Sequence, residues 1–145
     1  DILTPENREK YKQLKIMDIT QWLKEVVLPR IKVIRPKNRI LLHPTCSCQI
    51  MGLTPVLLDI ARKCAREVIL PDNWGCCGAS GDRGFIFPEL SDSATRDERD
   101  EIGHESFDGC YSLARTCEIA MQDHIEQPYE SIVYLVDETI QDQGT

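Results

Sequence analysis

The sequence predicts an α/β fold, a single domain with a mostly parallel sheet flanked by helices. Three observations carry that expectation. Short apolar runs, "RILLHPT" at 39–45 and "EVILP" at 67–71, alternate with longer stretches of helical period. Proline stops each of those runs, as it stops strands and helices generally. The chain has 145 residues, enough for one domain with its own core.

In order along the chain, "DILTPENREK" is charged and polar, and residues 1–17 read as a tail or linker ahead of a domain spanning 18–145. The sequence begins at Asp1 rather than Met, so it reads as a fragment, a processed product or an excised domain. A helix is expected from Asp18, whose partner three residues on, Gln21, makes a variant capping box. Ile19, Trp22, Leu23, Val26 and Val27 share its apolar spacing, and Pro29 ends or kinks its last turn. After the first strand, Thr54 is the expected cap and Pro55 the first residue of a helix burying Val56, Leu57, Ile60, Ala61 and Cys64. Past the second strand, 88–107 is polar and acidic, with Ser91 placed to cap a helix and "DERDE" (97–101) as its solvated face. "GCYSLA" (109–114) reads as a third strand, 116–125 as a helix, and "SIVYLVDETI" (131–140) as a fourth strand running into a helical end. There is no internal repeat and no low-complexity tract.

Composition narrows the function classes. A net charge of −7 and a pI of about 5.0 argue against nucleic acid or an anionic membrane surface as the main partner. No run approaches the ~20 apolar residues of a transmembrane helix, and no secretory signal is visible. Seven cysteines are many for this length, and an odd number leaves one without an intramolecular partner. A domain of this size does not need disulfide staples. Clustered cysteines then point to metal binding or redox chemistry in a reducing compartment.

Their spacing sharpens the point. Cys46 and Cys48 follow the first strand, Cys76 and Cys77 follow the second, and Cys110 and Cys117 bracket the third and the helix after it. In a parallel sheet the loops past the carboxyl ends of strands lie along one edge, so three loops would deliver thiols to one place. Gly75 and Gly78 flank the double cysteine and permit a tight turn. A disulfide between adjacent residues is strained, whereas thiolates from different loops suit a metal ion or an iron–sulfur cluster. Cys64 is a core residue by its helix face. His43 is open to a ligand role or a structural hydrogen bond, and His104 and His124 are expected to face solvent. Gly78, Gly81 and Gly84 match neither a P-loop nor a dinucleotide fingerprint. Arg83 could offset thiolate charge or pair with Asp82, and Trp74 could shield a cluster or simply pack.

"HPTC" (43–46), "CCGASGDRGF" (76–85) and "SLARTCEI" (112–119) together resemble the cysteine-rich CCG domain. That domain occurs in heterodisulfide reductases and in the iron–sulfur subunit of glycolate oxidase. The resemblance is strongest to the carboxyl-terminal part of FAD- and iron–sulfur-containing D-2-hydroxyacid dehydrogenases of the D-lactate type, and it runs from Ile40 to Val136. It implies Cys46, Cys76, Cys77 and Cys117 as ligands, with Cys48, Cys110 and His43 as substitutes. The family often ends in C-x-x-C, and the earlier of those positions is Ala114 here. That departure argues against a five-cysteine noncubane cluster and leaves four cysteines, enough for a [4Fe–4S] cluster or a tetrahedral zinc.

The function so implied is electron transfer within a FAD-linked dehydrogenase. FAD would sit on an upstream flavin domain or subunit, and a quinone or carrier protein would accept the electrons. The location implied is cytoplasmic, with peripheral attachment at the inner face of the membrane as a further expectation. The fragment alone should not turn over substrate. The alternative is a zinc-binding or cofactor-free scaffold or docking domain of the same enzyme, and a third reading gives the double cysteine direct thiol–disulfide chemistry.

Overall fold

The computed structural model describes residues 4–140. Its four strands, β1 (Lys37–Leu42), β2 (Ala65–Ile69), β3 (Cys110–Ser112) and β4 (Tyr129–Ser131), form one sheet in the order β2-β1-β3-β4. Every pairing is parallel, with Leu41 opposite Ile69 on one side and Cys110 on the other. The expected α/β class is therefore the fold of the molecule. From β1 the chain crosses first to one side, to β2, and then to the other, to β3 and β4. That makes the gap between the carboxyl ends of β1 and β3 the topological switch point, where open α/β sheets hold their ligands.

β1 is the central strand, and its sequence says so. Ile40, Leu41 and Leu42 are all fully buried, a continuous apolar run that only a strand covered on both faces can hide. Side chains alternate, so Ile40 and Leu42 join one core while Leu41 joins the other. The first core also takes Leu57, Ile60, Ala61 and Cys64 from α4 (Thr54–Cys64) and Ile132, Leu135 and Val136 from α8 (Ile132–Ile140). The second takes Ile102 from α6 (Pro88–Ile102) and Cys117, Ala120, Met121 and Ile125 from α7 (Arg115–Ile125). Each fully buried Leu or Ile contributes about 1.5–3 kcal/mol, so these two layers dominate the stability.

The capping box forms, with Asp18 accepting from the Thr20 amide at 2.8 Å and Gln21 reaching back to the Asp18 amide. Yet α2 (Ile19–Trp22) stops early and opens into a π-helical turn at Leu23–Val27, followed by a tight 3₁₀ turn through Pro29. The wider turn bonds the Leu28 amide to the Leu23 carbonyl and puts both leucines into the core. Of the residues at this segment's apolar spacing, Ile19 and Trp22 are exposed, while Thr20 is buried.

Other expectations are corrected. Residues 131–140 are not a strand with a helical end, because β4 lies just before and α8 takes nearly the whole stretch. Ile132, Leu135, Val136 and Thr139 recur at helical spacing and are buried together, which outweighs β-branched propensity. The cap of α4 is Leu53, so Thr54 and Pro55 are already inside its first turn. Ser91 does not cap α6, which starts at Pro88, and Ser91 is buried within it. Residues 1–3 of the expected tail lie outside the described residues, and α1 (Pro5–Lys12) turns its next part into a short helix. Thr4 caps it, Lys10–Glu6 and Lys12–Glu9 pairs brace it, and none of its side chains is buried. Among the described residues, no helix is long and apolar enough to cross a membrane.

Candidate functional site

Three loops meet at the switch point. His43 and Thr45 follow β1, and the Thr45 hydroxyl accepts from the Cys48 amide to start the short α3 (Cys46–Ile50), a helix that the apolar periodicity does not announce. Cys46 is thereby set at the exposed first position of that helix. The turn after β2 carries Cys76 and Cys77, and α7 presents Cys117 in its first turn.

The double-cysteine turn depends on glycine. Gly78 has φ +73°, and a Cβ there would stand 2.6 Å from the Leu90 carbonyl oxygen and 2.7 Å from the Ser91 Cα. Only the absence of a side chain lets this turn press against α6. Ser80 and Gly81 also have positive φ, so the chain coils back toward α5 (Arg83–Ile86). The coil turns amides onto sulfur. The Gly78 N–H donates to Cys76 Sγ at 3.4 Å, and the Ala79 and Cys77 amides bear on Cys77.

The four cysteines of the expected ligand set come together. Cys77 Sγ and Cys117 Sγ are 3.0 Å apart and share a hydrogen bond. Cys46 and Cys76 interact through their side chains, and Cys117 feels the charges of Cys77, Cys46 and Cys76. The hydrogen bond shared with Cys117 holds the Cys77 thiol down to about 6 against the effect of burial, with the Ala79 amide and nearby His43 helping. Cys117 is pushed up, by sharing that bond with Cys77 and by burial. At Cys76 the Gly78 N–H pulls downward, but burial and the sulfurs of Cys77 and Cys46 raise it on balance. Cys77 and Cys117 are buried, whereas Cys46 and Cys76 face solvent. No three Cys, His, Asp or Glu side chains among the described residues meet with metal-clasping geometry as they stand. The donor set nonetheless suits a soft metal or cluster, being thiols from three loops with backbone amides turned toward sulfur.

The expected substitutes fare differently. Cys48 packs into the first core, beside the Thr54 hydroxyl, on the face away from Leu41. Cys64 is in that core too, as expected. Cys110 shares the second core with Cys77 and Cys117, and burial alone pushes its thiol up to about 12. Ala114, where the family pattern has a further cysteine, packs against the same second core just ahead of α7.

His43 is fully buried, and its Nδ1 lies 2.9 and 3.1 Å from the two carboxylate oxygens of Glu98. Glu98 belongs to "DERDE", which was expected to be solvated. It is buried instead, on an inward stripe of α6 with Ser91, Thr95 and Ile102. That stripe steps by four, three and four residues, the helical spacing of a buried face, and was the signal available to find it. His104 is exposed as expected, but His124 is half-buried, with Nδ1 3.9 Å from Asp92. Trp74 is half-buried and Arg83 exposed. Beside the thiol turn, Phe85, Ile86, Phe87 and Leu90 form an exposed apolar rim. A separate cleft of about 520 Å³ opens past β3 and β4, lined by Leu113, Arg115, Glu118, Glu130, Ser131 and Tyr134, and no thiol lines it.

No family model matches the chain, and no curated protein is significantly similar to it.

Proposed function

We propose that this is the electron-transfer domain of a FAD-linked D-2-hydroxyacid dehydrogenase of the CCG kind, with Cys46, Cys76, Cys77 and Cys117 as ligands of an iron–sulfur cluster. The single observation behind the reading is the meeting of those four thiols, from three loops, at the switch point of a parallel sheet. A bound cluster would supply one-electron transfer between a flavin and an acceptor. The chain's own contribution is positional. The turn at Gly78 aims two neighbouring thiols inward, the Gly78 and Ala79 amides stabilise negative sulfur, and α6 and α7 keep water from Cys77 and Cys117. The exposed rim at Phe85–Leu90 is apolar enough to meet the upstream flavin domain or the quinone or carrier protein that accepts the electrons. Seven cysteines without a disulfide among them suit a reducing, cytoplasmic setting.

A second reading has one observation in its favour. The 3.0 Å contact between Cys77 and Cys117 is compact, which favours a single zinc ion and a scaffold role over a larger cluster.

One experiment separates them. The protein is purified without oxygen and analysed for iron, acid-labile sulfide, zinc and visible absorption. Iron with sulfide, lost in Cys77→Ser and in Cys117→Ser but retained in Cys64→Ser, is the expected result. One equivalent of zinc with no colour selects the scaffold reading. A metal-free wild-type protein, or full loading of both ligand variants, refutes the ligand set.

A further inference from the structure

We infer that His43 is a nitrogen ligand of this same centre, held in place by Glu98, so that the site is a mixed sulfur and nitrogen one. The inference rests on the reading that a soft metal or cluster is bound among the four thiols, and gives His43 the place of one of them, since four ligands complete a cluster or a tetrahedral zinc.

A carboxylate has no proton to give. An ionised Glu98 can only accept, so the proton between it and His43 sits on Nδ1. In that tautomer of the neutral ring, Nε2 carries a free lone pair. Nε2 is buried and has no hydrogen-bond partner, one of few such side-chain atoms among the described residues. A buried imidazole with one nitrogen fixed by a carboxylate and the other left bare is the arrangement by which proteins orient a metal-binding histidine.

Placement agrees. His43 is two residues beyond Leu41 and one past the end of β1, and its amide continues the ladder to Tyr111, so its side chain falls on the same side of the sheet as Leu41. Leu41 packs with Cys77 and Cys117. The Nε2 edge lies opposite the edge held by Glu98, and the ring lies within electrostatic reach of Cys77. The backbone fixes the residue on both sides: the His43 amide donates to the Tyr111 carbonyl at 2.9 Å, and the Ser112 hydroxyl donates to the His43 carbonyl at 2.9 Å.

The other substitutes do not compete. Cys48 belongs to the opposite core. Cys110 is level with Leu41, two residues and roughly 7 Å along the strands from the level of His43. Ala114 can contribute no ligand atom, so among the described residues His43 is the further donor that the fold brings to the thiols. An imidazole in place of a thiolate removes a negative charge from the centre, which raises its reduction potential.

The test needs no mutation of a buried residue. Wild-type protein carrying ¹⁵N-labelled histidine is loaded anaerobically with iron and sulfide, reduced, and examined by electron–nuclear double resonance. A parallel sample is loaded with zinc and examined by X-ray absorption. The expected result is a directly bound nitrogen whose coupling follows the isotope and persists in His104→Gln and His124→Gln, and a zinc shell of mixed sulfur and nitrogen. His43→Gln, where it folds, should lose the coupling and lower the potential, and His43→Cys should lower the potential further while keeping the metal. A loaded centre with sulfur ligands only, or with nitrogen coupling that ignores the histidine label, overturns the role of His43 and leaves the proposed function standing. A wild-type protein that takes up neither metal overturns both.

Discussion

Adding one methyl group at Gly78 should cost far more than adding one at Gly81, although both glycines have the same backbone handedness. Their φ angles are +73° and +79°. An alanine in that region pays about 1–2 kcal/mol for its conformation alone. At Gly81 nothing lies within 4 Å of the new carbon, so the conformational cost is the whole cost. At Gly78 the methyl group would meet the Leu90 carbonyl oxygen at 2.6 Å, the Ser91 Cα at 2.7 Å and the Ala94 Cβ at 2.9 Å. Two of these are backbone atoms of α6, which cannot swing aside as a flexible side chain would. Overpacking of this kind adds about 1–3 kcal/mol, for a total of about 2–5 kcal/mol. Urea denaturation of the two variants beside the wild type reads the difference, which corresponds to a midpoint gap on the order of 1 M at an ordinary slope. The same Gly78→Ala protein should lose its metal, since α6 and the Cys76–Cys77 turn must move apart, while Gly81→Ala should keep it. Equal destabilisation of the two variants, or full metal loading by Gly78→Ala, would refute the claim that the turn is pressed onto α6.

Three further outcomes follow from other parts of the molecule. Glu98→Ala leaves a buried imidazole N–H without its acceptor and should destabilise the fold by about 1–3 kcal/mol in urea; Glu98→Gln, whose amide oxygen can still accept from Nδ1, should cost clearly less, and the reverse order would show that the carboxylate is not what holds the ring. Leu57→Ala, in the centre of the first core, should cost about 2–5 kcal/mol by the same assay, and a near-neutral result would mean that α4 does not seal that face. Glu101 accepts from the Asp72 and Asn73 amides at 2.7 and 2.8 Å, and those bonds hold its carboxyl below the usual glutamate range. A folded-state value below the unfolded one means that the group's stabilising share is complete above the ordinary glutamate value and drains away as pH falls through the folded value. The acid limb of the stability profile should therefore be shallower in Glu101→Gln than in the wild type, and parallel limbs would exclude the contribution.

The elements legible in the sequence were those written in local pattern. The apolar run at β1, the buried face of α4 and the capping box at Asp18 all stand where the residues put them, because period and cap depend on neighbours a few positions away. Ambiguity arose where one stretch satisfied two patterns. "SIVYLV" is rich in β-branched and aromatic residues and also has an apolar helical stripe, and only the presence of α4 to receive that stripe decides for α8. The early end of α2 has a similar origin, since Leu23 and Leu28 both reach the core only through a wider turn.

The candidate centre divides in the same way. Cysteines after successive strands, with glycine beside a double cysteine, were readable from order and spacing once the sheet was taken as parallel. Which partner each side chain would meet was not. Glu98 stands in an acidic run that looks solvated from its neighbours, and it finds His43 across 55 residues of chain because α6 lies over the second face of the sheet. Cys48 and Cys46 are two residues apart, yet one turns into the opposite core and the other toward the thiols. By itself, then, the amino-acid order determined an acidic α/β domain whose thiols gather at one edge of a parallel sheet. The tertiary structure alone decided which of them touch, and that an imidazole is braced by a carboxylate beside them. Local sequence sets backbone conformation through interactions within a turn or two, whereas the pairing of buried polar groups is settled only when whole helices dock on the sheet and exclude water.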